Sequence, residues 1–202
     1  MSQAVSDIIY LADYDPRWPQ MFEDERERIV NAIGEWAADV QHVGSTLIPG
    51  IDAKPIIDIA VHLKSLVDAL KCITPLVEIG YDCLGEFGIA DRIYFRKPTD
   101  TPAPGQRTGH DGTGRTHQIH MYELGHEQYE KQIVFRDYLR AHADAAREYE
   151  ALKRDLAVRH AGDIEAYANA KSDFVQSILR SAALARSPSP AEPERGDQAT
   201  TR

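Results

Sequence analysis

The chain has 202 residues, and its 43% hydrophobic content is enough for one globular domain with a core of its own. A formal net charge of −9 and a pI near 5.3 argue against general nucleic-acid binding, which favours a basic face. The two cysteines form no metal-binding pattern, and neither a signal peptide nor a transmembrane stretch is evident. We therefore expect a cytoplasmic protein that does not bind membranes.

The first predicted elements are a short extended segment and an amphipathic helix. Residues 8–11 are apolar and predict an edge strand or an extended arm. Asp15 and Pro16 then form a typical helix start, and apolar residues recur at spacings near three and four as far as Trp36. The pattern predicts a helix over residues 16–38 with one face on the core.

The most informative stretch is residues 42–61, which read HVGSTLIPGIDAKPIIDIAV. Its beginning predicts a strand near residues 39–43 that breaks at Gly44. Its end is a β-branched apolar run after a proline, and it predicts a buried strand over residues 55–62. Asp58 lies inside that second strand, where a charge is costly unless it is paired or binds a metal.

These residues suggest a site for phosphate groups. Gly44 lets the backbone approach a ligand closely, and the amides and hydroxyls of Ser45 and Thr46 suit phosphate oxygens. A Mg²⁺ ion at Asp58 would bridge the same phosphates. Lys54 is a candidate phosphate ligand and a possible partner of Asp58 when no ligand is bound.

The middle of the chain predicts one helix and three strands. The helix covers residues 65–77, and the strands lie near residues 80–84, 92–97 and 116–123. We expect the inward face of the helix to carry Leu66, Val67, Leu70 and Ile73.

Strand alternation places Arg92, Tyr94 and Arg96 on one face of their strand. Two arginines near an acidic site suit a triphosphate, although a solvated face with structural ion pairs explains them equally well. Glu86 lies in the preceding Gly-rich turn and is a candidate second acid.

Gln118 and His120 share a face of the last predicted strand. We expect this strand to lie beside Asp58, so His120 is either an acid–base or ligand group of the site or a structural histidine. The preceding residues 98–114 are rich in Pro, Gly, Thr and Asp, and predict a mobile loop that covers the site.

From residue 127 the pattern is helical, with helices predicted over residues 143–159 and 163–183. Lys153 and Lys171 are able to reach a ligand from these helices, although surface lysines are common. Residues 185–202 are almost free of apolar side chains and predict a disordered tail after a domain of residues 1–184.

The motifs resemble two known patterns. Gly44, Ser45 and Asp58 match the nucleotidyltransferase pattern hG[GS]…Dh[DE]h, but Ala60 replaces its second acid. The longer string HVGSTxIPGxxAKPIIDI is similar to the GrpB family, with further matches between Tyr14 and Phe174. These matches are YDPxWP, GExGI, IH, FRDYLR and YxxLK.

The resemblance implies a nucleotidyltransferase-like α+β fold, with a mixed β-sheet, flanking helices and a C-terminal helical bundle. A related domain is fused to dephospho-CoA kinase in some proteins of the family. The family usually shows His-Leu-His where this chain has Gln118-Ile119-His120, so a role that needs both histidines is in doubt.

Three functions remain open. The first is transfer of a nucleotidyl group, with Mg²⁺, from a nucleoside triphosphate to a small acceptor. Its residues are Asp58 for the metal, His120 or Glu86 as base or further ligand, and Gly44, Ser45, Thr46, Lys54, Arg92 and Arg96 for the phosphates. The second is a non-catalytic module that binds a nucleotide or CoA-like ligand or assists a partner's folding. The third is a phosphotransferase on the same fold; the acceptor, the nucleobase and the oligomeric state stay open.

Overall fold

A computed structural model of the protein describes residues 9–99 and 114–186. The helices are α1 (Trp18–Ile33), α2 (Ala69–Glu78), α3 (Glu127–Ala141), α4 (Ala143–Arg159), α5 (Ile164–Asn169) and α6 (Ser172–Arg186). The strands are β1 (Ala37–Val43), β2 (Ile57–Leu63), β3 (Asp82–Cys83), β4 (Arg92–Thr99) and β5 (Gly114–Glu123). Short 3-10 helices cover Ser45–Leu47 and Leu66–Asp68. None of the described helices has the length and apolar character of a membrane span.

The strands form one mixed sheet in the order β1-β2-β5-β4-β3. Strands β2 and β5 are parallel, and the other neighbouring pairs are antiparallel. The pairing sets Asp58 beside Gln118 and His120 beside Tyr94. Asp58 and His120 therefore lie on adjacent central strands and on the same face of the sheet, as the sequence predicts.

The other face of the sheet carries the main core. Alternate residues of β2 and β5, among them Ile59 and Ile119, are completely buried against α1 and α2. This face has β-branched and aromatic side chains at every second position, and the amphipathic α1 covers them. The polar face is thus left for the C-terminal helices, which pack there through smaller apolar clusters.

Helix α1 is shorter than predicted. It ends at Ile33, and residues 34–36 turn into β1, whereas the periodicity of apolar residues suggested a helix as far as residue 38. Trp36 continues the helical spacing but packs against the core from the turn. Strand pairing of β1 with β2 from Ala37 onwards overrides the local helical pattern.

Of the inward face predicted for the second helix, Leu66 and Ile73 pack against the core as expected, but the other two residues do not. Val67 and Leu70 are 74% and 73% exposed, while Ala69, Cys72 and Leu76 are buried. The first turn is a 3-10 helix, which has fewer residues per turn than an α-helix, so the following residues rotate to a different face.

The predicted terminal and loop segments are only partly visible. Of the predicted arm, Ile9 is buried against α4 and α5, and Ala12 forms a β-bridge with Ala53. The predicted loop of residues 98–114 lies largely outside the described residues, and its ends belong to β4 and β5. The predicted tail also lies outside them, except for residues 185–186, which end α6.

A buried ion pair fixes α1 to the sheet. The carboxylate of Glu25 accepts hydrogen bonds of 2.8 and 3.0 Å from Lys97 Nζ, and Arg28 contacts it from the surface at 3.1 Å. Burial acts to raise the pKa of Glu25, but the Lys97 hydrogen bond and nearby positive charge outweigh it and lower that pKa. The stabilisation is therefore present at neutral pH and is lost as the pH falls through this lowered pKa.

Replacing Lys97 by Met should lower the free energy of unfolding by roughly 3 kcal/mol, because it leaves a buried carboxylate short of its main partner. Lys71→Met is the matched control, since Lys71 and Asp68 form an exposed pair of the same 2.8 Å length. That control should cost less than about 1 kcal/mol. Urea unfolding at pH 7 measures both, and equal losses would contradict a stabilising role for the buried pair.

Candidate functional site

A cavity of about 670 Å³ lies between the polar face of the sheet and the C-terminal helices. The turn after β1 and strands β2 and β5 form one wall, and α3 to α6 form the other. Its lining includes Gly44, Ser45, Thr46, Lys54, Asp58, His120, Tyr149, Lys153, Tyr167 and Lys171. This size suits a small-molecule ligand.

Gly44 packs directly on the carboxylate of Asp58. A Cβ atom at Gly44 would lie 2.4 Å from Asp58 Oδ2 and 3.0 Å from Asp58 Cβ. The backbone of Gly44 has φ 74° and ψ −173°, a region that is almost restricted to glycine. Both the conformation and the space therefore require glycine, and the close contact fixes where the acid stands relative to the turn.

Gly44→Ala should destabilise the protein more than Gly50→Ala. Gly50 has a similar φ of 79° but open space around its position, so it reports the backbone strain alone. We expect about 1–2 kcal/mol at Gly50, and at least 1–3 kcal/mol more at Gly44 from the collision with Asp58. Urea unfolding of both variants measures the difference. Similar losses would show that the Gly44–Asp58 contact imposes no constraint.

Ser45 and Thr46 form the first turn after Gly44, and they differ in environment. Thr46 is buried, and its Oγ1 lies 2.9 Å from Nε2 of the buried His42. Burial lowers the pKa of His42 to about 4, so the ring is neutral at pH 7. Ser45 is partly exposed and hydrogen-bonds with Tyr149, whose pKa burial raises to about 12. Of the two hydroxyl groups, that of Ser45 is the better placed for a ligand.

Asp58 faces the cavity rather than an apolar interior. Its side chain is 31% exposed, and Oδ1 lies 3.8 Å from Nε2 of His120. The other ring nitrogen of His120, Nδ1, lies 3.3 Å from Arg92 Nη1. Asp58 keeps contact with solvent through the cavity, so its position in a strand needs no buried counter-ion.

The side chains around Asp58 do not form a permanent binding site for two metal ions. Within residues 9–99 and 114–186, no group of three or more His, Cys, Asp and Glu side chains is arranged to bind a metal. Ala60, on the same face as Asp58, is completely buried and offers no ligand atom. One carboxylate suits Mg²⁺ only when the ion arrives with ligand phosphates that complete its shell.

The predicted arginines and the second acid lie outside the cavity wall. Arg92 is buried behind His120, and its Nη2 donates to the carbonyl oxygens of Glu86 and Phe87. Arg96 lies 3.7 Å from Asp82 across β4 and β3. The carboxylate of Glu86 is exposed and accepts a hydrogen bond from the Asp91 amide. The expectation that Arg92 and Arg96 line the pocket is wrong, because β4 lies one strand further from Asp58 than β5 does.

Lysines provide the positive charge instead. Lys54, Lys131, Lys153 and Lys171 line the cavity, against Asp58 as the acidic residue of the same wall. Lys54 and Lys171 lie over the ring of Tyr167 at 5.3 and 4.4 Å, and Lys153 lies 4.9 Å from the centre of the Tyr149 ring. Sequence reasoning did not identify the two tyrosines, although their helical spacing from the lysines was a signal. The aromatic rings hold the ammonium groups at the wall.

The charged form of these lysines is disfavoured. Burial, followed by repulsion from Lys171, lowers the pKa of Lys153 to about 7. Burial, followed by repulsion from Lys54, lowers the pKa of Lys171 to about 8, although Asp58 acts in the opposite direction. Burial also lowers the pKa of Lys54. An anion in the cavity would reverse these shifts, because it would stabilise every ammonium group.

Without a ligand, the contribution of Lys171 to stability should rise with pH between about 8 and 10.5. In this window the unfolded lysine holds a proton that the folded lysine has lost, so rising pH favours the folded state. Lys171→Met should remove this rise and add roughly 1–3 kcal/mol of stability at pH 7.

Urea unfolding at intervals from pH 7 to 10 measures the effect. Lys71→Met is the control, since Asp68 raises the pKa of the exposed Lys71 and should keep its titration out of this window. Lys153 and Lys54 also have lowered pKa values and add a rise of their own, so Lys171→Met should reduce the wild-type slope rather than abolish it. A slope that is unchanged in Lys171→Met would contradict the assignment.

Comparison with known proteins places these features in a family. The family model described as "GrpB protein" matches residues 8–181. A crystal structure of the conserved protein GrpB from Enterococcus faecalis is similar, with 32% identity, 87% of this chain and 98% of that chain covered, and a TM-score of 0.73. The predicted α+β fold, with its mixed sheet, flanking helices and C-terminal helices, is confirmed.

Curated relatives differ in length. UPF0157 protein YqkA of Bacillus subtilis is 36% identical over 84% of this chain, and the glutamate-rich protein GrpB of Alkalihalophilus pseudofirmus is 37% identical over 85%. The match covers 46% of the first relative and 94% of the second. A dephospho-CoA kinase of Mycolicibacterium paratuberculosis is 32% identical over 86% of this chain and 46% of its own length. The chain thus spans about half the length of some of its relatives.

Proposed function

This chain belongs to the GrpB family, and from that premise we propose that its cavity binds the phosphate groups of a nucleoside triphosphate or a similar phosphorylated small molecule. The observation that carries the proposal is the excess of lysine over acid in the cavity wall. Burial makes the charged forms of Lys54 and Lys171 unfavourable, and Asp58 offsets this only in part. Lys153 is also desolvated, although it already donates to the Asp52 carbonyl oxygen. An anion in the cavity would offset the remaining cost.

The turn after β1 supports the same ligand. Gly44 has no side chain, so its backbone can lie close to a phosphate group. Ser45 adds a hydroxyl at the cavity wall, next to Tyr149. Lys54 and Lys171 line the same cavity as candidates to bind phosphate oxygens, and the negative charge of Asp58 acts on both of them. These contacts would orient the phosphates along the wall from the turn to the lysines.

Asp58 gives the ligand a place for a divalent cation. We expect Mg²⁺ to enter as the complex of the nucleotide, with Asp58 as its protein carboxylate and the phosphates supplying other oxygens. Arg92 can only donate to Nδ1 of His120, so the neutral ring carries its hydrogen on Nε2, 3.8 Å from Asp58. His120 would accept a proton only if ligand binding broke the Arg92 contact. Nucleotidyl transfer to a small acceptor is the enzymatic form of this proposal, with His120 as the base and Asp58 as the metal ligand.

The non-catalytic form has a specific observation in its favour. Ala60 leaves the described part of the site with one carboxylate, whereas in-line transfer with two ions normally uses more than one. A protein that binds and positions a nucleotide or CoA-like ligand needs the lysines and the turn but no second acid. Binding is therefore the first claim to test, and transfer is the second.

Calorimetric titration with ATP, GTP, CTP, UTP and dephospho-CoA, each with and without Mg²⁺, tests the binding claim. Lys171→Met should weaken binding of the accepted ligand roughly tenfold or more, since it removes a charge-assisted contact. Lys71→Met, on an exposed surface, should leave binding unchanged. No measurable binding of any of these compounds by the wild type would contradict the proposal.

Replacing Asp58 by Asn distinguishes the repulsion between its carboxylate and the ligand phosphates from its role as a Mg²⁺ ligand. Without Mg²⁺ this variant should bind the nucleotide more tightly than the wild type, because it removes a negative charge beside the phosphates. With Mg²⁺ it should lose the gain in affinity that the wild type shows on adding the ion. The half-exposed position predicts a stability change below about 1 kcal/mol. A loss of several kcal/mol would indicate a purely structural acid.

Incubation of the wild type with an α-phosphate-labelled nucleotide, Mg²⁺ and a panel of phosphorylated and hydroxyl acceptors tests transfer. Labelled adducts that vanish in His120→Gln, with nucleotide binding retained, would support the enzymatic form. Tight binding without any labelled product would favour the non-catalytic form.

A further inference from the structure

A second pocket of about 310 Å³ opens on the other side of the turn after β1. It lies between the start of α1, the edge strand β1 and helix α3. The cavity described above does not share its lining residues, although the two are separated only by the segment from His42 to Leu47. Arg136 and Arg140 of the FRDYLR motif in α3 supply its charged wall, whereas Phe135 of the same motif lines the lysine-lined cavity.

Two arginines of this motif face the pocket. Arg136 is held rigidly, since its side chain is only 11% exposed and Nη1 donates to Gln41 Oε1 at 2.8 Å and to the His42 carbonyl oxygen at 3.1 Å. Its Nε donates to Asp137, which leaves Nη2 without a hydrogen-bond partner among the described residues. Arg140 lies one helical turn further along α3, and its exposed side chain makes no ion pair within residues 9–99 and 114–186.

The other residues of the lining indicate what kind of chemical group would accompany the anion that binds the two arginines. Phe22, Pro19 and Leu47 give an apolar wall, and Gln20 lines the mouth. Glu23 is the acidic residue of the lining, and it lies 3.8 Å from Arg26, so its charge is partly compensated. A lone inorganic ion would leave much of this volume unfilled.

His42 lines the pocket and has one ring nitrogen without a hydrogen-bond partner among the residues that the structure describes. Its ring stacks on Phe22 with centroids 4.7 Å apart, and Nε2 lies near Thr46. Nδ1 is buried and has no hydrogen-bond partner in the described part of the chain. Burial lowers the pKa of His42 to about 4, so the ring is neutral at pH 7, and its unpaired buried nitrogen is costly.

We propose that this pocket is a second anion site, which binds the phosphate group of a small phosphate monoester through Arg136 and Arg140. Guanidinium groups one turn apart on a helix bind phosphate oxygens from two directions, and Arg136 is already oriented by its bonds to β1. The uncharged part of the ester lies against Phe22 and Leu47. The site is independent of the nucleotide proposal, because its residues and its helix face differ.

Titration of ¹⁵N-labelled protein with glycerol 3-phosphate and, separately, with inorganic phosphate tests the proposal. The ester should shift the side-chain Nε–H signals of Arg136 and Arg140 and the amide signals of Phe22 and Gln41. Arg140→Gln should weaken this binding roughly tenfold or more, whereas Lys171→Met, in the other cavity, should leave it within about twofold. Arg140 is exposed, so its replacement should not disturb folding.

Arg180→Gln, an exposed arginine on α6, is the matched control and should bind the ester as the wild type does. Equal affinities of Arg140→Gln and wild type would overturn the proposal. So would shifts confined to residues of the lysine-lined cavity, or weaker binding in Lys171→Met than in Arg140→Gln. Inorganic phosphate that binds as tightly as the ester would overturn the assignment to a monoester.

Discussion

The site depends on the packing of the Gly44 backbone against the carboxylate of Asp58. This contact leaves no room for a Cβ atom, and it brings the end of β1, the following turn and the acid of β2 to one point. Strand β5 adds His120 from the other side, because its parallel pairing with β2 keeps both side chains on one face. The turn can then present Ser45 to the cavity with little freedom to move. A rigid turn beside a carboxylate is a preorganised place for a phosphate group and its cation.

The second constraint is the free-energy cost of burying several lysines close together in the lining of the cavity. Lys54 lies before β2, Lys153 on α4 and Lys171 in the turn between α5 and α6. Two tyrosine rings hold the three lysines at the cavity, and burial makes their ammonium forms unfavourable. A folded chain retains such an arrangement at some loss of stability. Arg115 on β5 adds to the positive charge at Lys54. The sheet thus offers one acid and a rigid turn, and the cations come from the segment before β2 and from the C-terminal part of the chain. The cavity is therefore complementary to an anion that contacts the turn and the lysines together.

Much of this could be predicted from the sequence, and the errors have physical causes. Period-two alternation and the break at Gly44 were sufficient to place Asp58 and His120 on one face, since strand register follows from burial of the other face. Alternation also put Arg92 on that face, but it cannot tell how many strands separate two residues, and Arg92 binds turn carbonyls instead. The roles of Lys153 and Lys171 depend on how the C-terminal helices dock, which no local pattern encodes. Val67 and Leu70 were predicted on the wrong face of the segment that includes α2, because a 3-10 turn changes the helical phase.

The most direct test of the central claim is the number of protons taken up when a nucleotide binds. Calorimetric titration at pH 8 without Mg²⁺, in buffers of different ionisation enthalpy, measures this number. At this pH the nucleotide phosphates are already fully ionised, because their second pKa is about 6. If the phosphates lie against the lysines whose pKa values are lowered, the pKa values of these lysines rise on binding. The complex should then take up close to one proton or more. Binding without proton uptake, or with proton release, would contradict a phosphate site at these lysines.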